Sequence, residues 1–253
     1  YISGAGLNNG AGFPDIGMLT LTEFAAMAGY IARATDLPCL CDADTGFGEA
    51  VNVSRCVREM ERAGMAGIHI EDQVFPKRCG HLSGKQLIPA EQMARKIKTA
   101  VLSRADKNFL IIARTDARST EGLDGAVARA RAYAVAGADM IFPEALRNRA
   151  EFADFARKVK TPLLANMTEF GVSPLLSSKE LFKMGYKIVI YPMGAFRTMM
   201  KACEGFYASL HKAGTQAGML GKMQTREELY ALLDYDSYAK LDEKAYGGFR
   251  GKK

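Results

Sequence analysis

No apolar run in this sequence approaches the roughly 18 residues that a membrane-spanning helix needs. No charged-then-apolar leader opens it either, so neither a membrane nor secretion is expected. Cysteine is scarce and odd in number: Cys39, Cys41, Cys56, Cys79 and Cys203. Such a set offers no disulfide framework and suits a reducing cytoplasm. Cys39 and Cys41 lack a second Cys or His pair at zinc-finger spacing, which argues against a structural zinc. Charge is not concentrated. The 34 basic and 28 acidic residues leave a net +6, with basic clusters only at Lys77 and Arg78 and in a tail at 250–253. A nucleic-acid binder would gather such residues on one face and interleave aromatics, so no nucleic-acid partner is expected. Pro/Ser-rich linkers and low-complexity segments are also missing, and we read 1–253 as one domain. At 48% hydrophobic, 253 residues can bury one large core of the size common in α/β barrels.

What is present is a rhythm. Short apolar runs at 1–4, 38–42, 67–71, 109–114, 139–143, 163–166 and 188–191 are bounded by Gly, Pro or Asp. Parallel strands buried on both faces read this way. Helical patterns separate them at 20–34, 51–63, 123–136 and 177–184. The first opens on a capping box, Thr20 with Glu23, and the others end at Gly64, Gly137 and Gly185. The junctions at 63–68, 136–141 and 184–189 nearly repeat, and beyond Arg197 the pattern is helical at 198–212 and 226–233.

Strands alternating with crossover helices fit a doubly wound sheet or a (β/α)₈ barrel. Even spacing favours the barrel, and so do polar residues at the C-terminal end of almost every strand, where a barrel builds its active site. The chain opens at Tyr1 without Met, directly in a strand-like run. The expectation is therefore an α/β fold, a (β/α)₈ TIM-type barrel lacking its first strand in this chain, with C-terminal helices.

Those strand ends carry chemistry. Asp42 and Asp44 end one strand and Glu71 and Asp72 the next, followed by Arg114, Thr115 and Asp116, then Glu144, then Asn166, Thr168 and Glu169. Carboxylates at i and i+2 of a strand end point the same way, and hard oxygen ligands of that kind suit Mg²⁺. A lone Asp there is more often a helix cap or loop anchor. Asp42, Asp44, Glu71, Asp116 and Glu144 at one barrel mouth need a cation. In Lys77-Arg78-Cys79-Gly80-His81, two fixed positive charges and a histidine lower a thiol pKa and make Cys79 a usable acid or base. The other cysteines lie inside strands or helices and read as small core residues. His69, between Ile68 and Ile70, reads as a core or supporting histidine. Arg114, Arg197 and Arg226 can hold carboxylates in bidentate fashion; a surface salt bridge is the alternative for each, and spacing favours it for Arg226 taken alone. The opening Ser3-Gly4-Ala5-Gly6 allows a ligand anion to approach the backbone closely.

Taken together, these motifs resemble the isocitrate lyase/phosphoenolpyruvate mutase superfamily, and within it the methylisocitrate lyase branch. The resemblance runs from Tyr1 to about 230–238. It rests on YISGAG at 1–6, DADTGFG at 42–48, HIEDQ at 69–73, KRCGH at 77–81 and ARTDA at 113–117. FPEA at 142–145, NMTEFG at 166–171, YPMGAFR at 191–197 and MQTREELY at 223–230 continue it. KRCGH is the most specific of these; the strand-end carboxylates are shared across the superfamily.

The resemblance implies a Mg²⁺-dependent lyase, with Mn²⁺ an alternative ion, acting on a small tricarboxylate. It would cleave 2-methylisocitrate to pyruvate and succinate in the methylcitrate cycle of propionate catabolism. Asp42 and Asp44 then match the metal-binding pair, with Asp15 and Glu71 reaching the ion mostly through water. Cys79 matches the catalytic acid, and Tyr1 or a metal-linked carboxylate the base. Ser3, Gly4, Ala5, Cys79, Gly80, Arg114, Glu144, Asn166, Met167, Thr168, Arg197 and Arg226 match substrate-binding positions, with Ala5 standing where the family usually has Gly. A homo-oligomer, dimer or tetramer, with helix exchange between subunits is implied as well. Isocitrate lyase is the nearest alternative, but it usually has a Lys-Lys-Cys-Gly-His loop and a longer chain. Phosphonate mutases and oxaloacetate-type hydrolases typically lack the loop, and a catalytically silent binding barrel would not need this set of residues.

Overall fold

A computed structural model describes residues 1–81 and 84–246; the basic tail at 250–253 lies outside the described residues. The chain divides into two compact units, Tyr1–Arg197 and Thr198–Lys253.

The first unit alternates helix and strand. It runs α1 (Gly4–Gly10), α2 (Leu21–Arg33), β1 (Leu40–Asp42), α3 (Ala50–Arg62), β2 (Gly67–Glu71), α4 (Ala90–Ser103) and β3 (Leu110–Thr115). It continues with α5 (Gly122–Val135), β4 (Met140–Pro143), α6 (Arg149–Lys158), β5 (Leu163–Asn166), α7 (Ser178–Met184) and β6 (Tyr186–Ile190). The expected start and stop signals act as read. Thr20 and Glu23 cap α2 reciprocally, and Gly64, Gly137 and Gly185 take positive φ of 91°, 106° and 105° just after α3, α5 and α7.

All neighbouring strands are parallel, and the sheet order β1-β2-β3-β4-β5-β6 follows the chain without reversal. A doubly wound sheet would reverse at a switch point. This α/β sheet winds in one direction, as a curled barrel-type sheet does. Alternate strand residues serve two cores. Ile111, Ala113, Ile141, Leu163 and Ala165 pack with the helices, whereas Ile112, Met140, Phe142, Leu164 and Ile190 form a second cluster. Burial on both faces explains the unbroken apolar runs in the sequence. The register aligns the C-terminal ends at one rim, pairing Asp42 with His69, Glu71 with Arg114 and Asn166 with Ile190.

One expected element is different. Residues 1–4 do not form a strand; only Ile2 bridges β1, with its N–H donating to Leu40 O at 2.8 Å and its carbonyl accepting from Asp42 N–H at 2.9 Å. Ser3 then caps α1, its Oγ accepting from Gly6 N–H, and the chain turns helical at Gly4. The last strand lies at Tyr186–Ile190, displaced from 188–191, and β1 is shorter than 38–42. Helices α4 and α6 add to those expected from the pattern.

In the C-terminal region, α8 (Gly194–Ala213), α9 (Arg226–Leu232) and α10 (Tyr235–Tyr246) contain no buried residue.

Candidate active site

The C-terminal rim of the sheet and its loops enclose a cavity of about 360 Å³. Tyr1, Ser3 and Ala5 line it from the start of the chain, Asp15 from the loop before α2, and Asp42 from the end of β1. Lys77, Cys79, Gly80 and His81 enter from the loop after β2, and Arg114, Glu144, Asn166, Thr168 and Arg197 come from the later strand ends. A larger cleft of about 810 Å³, lined among others by Thr20, Asn52 and Gln92, holds none of the candidate catalytic, metal-binding or substrate-binding residues named above. Chemistry rather than size identifies the smaller cavity as the site.

One wall is acidic. Asp42 ends β1, and Asp44 sits at φ 45°, a left-handed conformation that Asp tolerates better than most residues. Its N–H donates to Asp42 Oδ1 at 2.9 Å. A turn, rather than the strand pleat expected from i and i+2 spacing, therefore sets the pair. Lys77 Nζ lies 2.9 Å from Asp44 Oδ1 and also contacts Asp15. Asp44 Oδ2 and Glu71 Oε1 are nevertheless buried without a hydrogen-bond partner. Burial pushes the Asp44 carboxyl up to about 6, against the pull of Lys77, and burial also raises Glu71. For Asp42 burial acts the same way, but His69, Lys77 and Arg114 outweigh it and hold the carboxyl below its usual value. Buried oxygens without partners on neighbouring carboxylates are what a hard cation satisfies. Among the described residues, no three His, Cys, Asp or Glu side chains converge as a complete cage. Mg²⁺ needs only one or two protein carboxylates and completes its octahedron with water and substrate.

Beside these carboxylates Arg114 is held by several acidic partners. Arg114 Nε is 2.9 Å from Asp116 Oδ2 and 3.2 Å from Glu71 Oε2, and its Nη2 is 3.4 Å from Glu144 Oε2. Its guanidinium also lies 5.1 Å from the Phe142 ring centroid. Burial opposes ionisation of Glu144, yet Arg114, His81 and Asn166 hold its carboxyl well below the ordinary range. His81 Nε2 is 3.0 Å from Glu144 Oε1, and its Nδ1 accepts from Val172 N–H at 3.1 Å. Tyr1 Oη is 2.7 Å from His69 Nε2, and His69 is 3.5 Å from Asp42 Oδ1. Burial, then Asp42, raises the Tyr1 phenol well above its usual value, while burial lowers His69.

Residues 1–211 match the phosphoenolpyruvate phosphomutase family. The chain belongs to that family. It is 53% identical to a 2-methylisocitrate lyase of Aeropyrum pernix across 96% of this chain and 78% of that one. A crystal structure of 2,3-dimethylmalate lyase superposes with a TM-score of 0.90 at 36% identity, covering 96% of this chain and 81% of that one. Phosphonopyruvate hydrolase in complex with oxalate and Mg²⁺ gives 0.84 at 30%, covering 97% of this chain and 86% of that one.

Within this member of the family, not every expected residue faces the cavity. Gly4 N–H donates to Asp42 Oδ2 at 3.2 Å, and a Cβ at position 4 would come within 2.7 Å of that oxygen. Gly4 therefore seats the acidic wall. Met167 is in the core, with its sulfur accepting from Leu176 N–H. Asp44 and Glu71 lie buried behind the lining. Arg226 opens α9 in the second unit.

Sequence reasoning gave no site role to Lys85, which is buried against Asp116, or to Val172, whose backbone holds His81. Neither lies in a periodic element, so no pattern marked them. The other four cysteines divide: Cys39, Cys41 and Cys56 are buried, whereas Cys203 in α8 is exposed rather than a core residue.

Proposed function

We propose that the chain is a Mg²⁺-dependent carbon–carbon lyase cleaving 2-methylisocitrate to pyruvate and succinate. The observation that carries this reading is the meeting, in one cavity, of Cys79 and Arg114 with the acidic wall at Asp42. The half-identical 2-methylisocitrate lyase supports the choice of substrate. We read the one-way sheet as part of a (β/α)₈ barrel and both units as parts of one enzyme. Residence in the cytoplasm and assembly into a dimer or tetramer with exchanged helices belong to the same reading.

Asp42 and Asp44 would hold the ion directly, with Asp15 and Glu71 acting through water. When bound, Mg²⁺ supplies a Lewis acid that favours the ionised form of a substrate hydroxyl and steadies its neighbouring carboxylate. Tyr1, kept neutral, orients that hydroxyl by hydrogen bonding, and a carboxylate of the acidic wall takes its proton. Breaking C2–C3 leaves the electron pair on the succinate half as an enediolate. Arg114 and Arg197 face that developing charge, Arg114 already fixed by its carboxylate partners. Ser3, Ala5, Gly80, Asn166 and Thr168 frame the substrate, and Arg226 is a further carboxylate ligand. Cys79 Sγ–H then protonates the carbanion carbon.

The deciding experiment offers 2-methylisocitrate and isocitrate separately and detects pyruvate or glyoxylate. Pyruvate should form, chelation should abolish the reaction and Mg²⁺ or Mn²⁺ should restore it. One methyl group contributes about 1–3 kcal/mol, so kcat/KM should favour 2-methylisocitrate by roughly 10–200-fold. Cys79→Ser should lower kcat by about 10²–10⁴-fold without unfolding. A preference for isocitrate would reassign the substrate, and activity after exhaustive chelation would remove the metal from the reaction.

A further inference from the structure

Lys85 is buried, its side chain 1% exposed, although an ammonium in that position gains nothing from hydrophobic burial. Its Nζ has two partners. It donates to Asp116 Oδ1 at 2.9 Å and to the carbonyl of Gly80, the residue after Cys79. Asp116 is itself immobilised: its carboxylate accepts from Arg114 Nε and Nη2, and its N–H donates to Asp72 Oδ1 at 2.9 Å. A Cβ at Gly80 would run into Arg114 and Glu144 and lie 3.0 Å from Asp116 Oδ1, so the loop backbone rests directly on these side chains.

We propose that Lys85 is a positioning residue for Cys79, tying the Gly80 carbonyl to Asp116 and thereby fixing the Cys79 loop over Arg114. The same Asp116 oxygen holds both the loop and Arg114, so acid and anion site share one reference point. A proton donor must lie within hydrogen-bond reach of its target, and a displacement of about 1 Å can cost on the order of 100-fold in rate. This inference rests on Cys79 being the proton donor of the proposed lyase.

The test uses the full chain with Lys85→Met, which keeps the apolar stem, and Lys85→Arg, which keeps the charge. Iodoacetamide labelling of Cys79, followed by peptide mass spectrometry to separate it from Cys203, reads the loop without any substrate. Lys85→Met should label Cys79 about 5-fold faster or more and lose roughly 10–100-fold in kcat, with KM for 2-methylisocitrate changed far less. Lys85→Arg should recover part of both. Wild-type labelling and kcat in Lys85→Met would overturn the proposal. So would hydrogen exchange in unmodified protein showing segment 77–81 no slower than a free peptide, a measurement that stands even if the variants fail to fold. Because labelling needs no turnover, a failure of the lyase reading leaves the loop result intact and distinguishable.

Discussion

Asp44 illustrates how a single residue's surroundings set its chemistry. Its left-handed φ turns it out of the strand, Oδ1 meets Lys77 while Oδ2 has no partner, and burial pushes the carboxyl up to about 6. An acid with a raised pKa holds its proton up to that value, and a protonated carboxyl is a poor ligand for Mg²⁺. Proton and cation therefore compete. Mg²⁺ affinity of the metal-free protein should level off above pH 6 and weaken about tenfold for each pH unit below it. Calorimetric titration from pH 5 to 7.5 measures this, with proton uptake by buffer as an internal check. Affinity unchanged between pH 5 and pH 7 would take Asp44 out of the ligand set.

Among the elements, the loops following the strands matter more than the strands themselves. The strands supply a rigid rim in fixed register, while the loop after β2 brings Cys79, and the loop after β5 meets it through His81. His81 Nδ1 accepts from Val172 N–H, so the ring proton is on Nε2, facing Glu144. A Cβ at Gly171 would sit 2.5 Å from His81 Nδ1 and 2.8 Å from Cε1. Gly171→Ala should push the ring off Glu144 and lower kcat/KM by roughly 10–100-fold. The melting temperature should hardly move, because neighbouring Phe170 is already 93% exposed. Steady-state kinetics and thermal denaturation check this pair; unchanged kcat/KM would mean that the two loops are not coupled through the ring.

For the whole molecule, the telling contrast is between a sheet buried on both faces and helices α8–α10 with no buried residue. Met199, Tyr207, Leu229, Leu232, Leu233 and Tyr238 are all exposed there. So many large apolar side chains exposed on helices without a buried face point to cover by another subunit. Light scattering coupled to size exclusion should therefore give the mass of a dimer or tetramer, stable to dilution into the low micromolar range. A monomer at that concentration would refute the helix-exchanged assembly. No helix among the described residues is long and apolar enough to cross a membrane.

Local rules made the alternating α/β order legible in the sequence, because apolar runs, capping boxes and terminal glycines act over a few residues. Strand-end residues such as Asp42, Glu71, Arg114 and Glu144 were legible for the same reason: parallel strands in register bring their C-terminal ends to one rim. Residues 1–4 misled because an apolar start resembles a strand, whereas Ser3 acts as an N-cap and opens a helix at Gly4. The tertiary structure alone decided which rim residues face the cavity, with Met167 turned into the core and Gly4 seating Asp42. It alone decided that Asp44 owes its position to a turn, that Lys85 meets the Gly80 carbonyl and that Val172 N–H meets His81. Those contacts join residues from separate loops and strand ends. A buried charge or hydrogen bond is fixed by whatever partner packing brings within about 3 Å, and local sequence does not encode that distance.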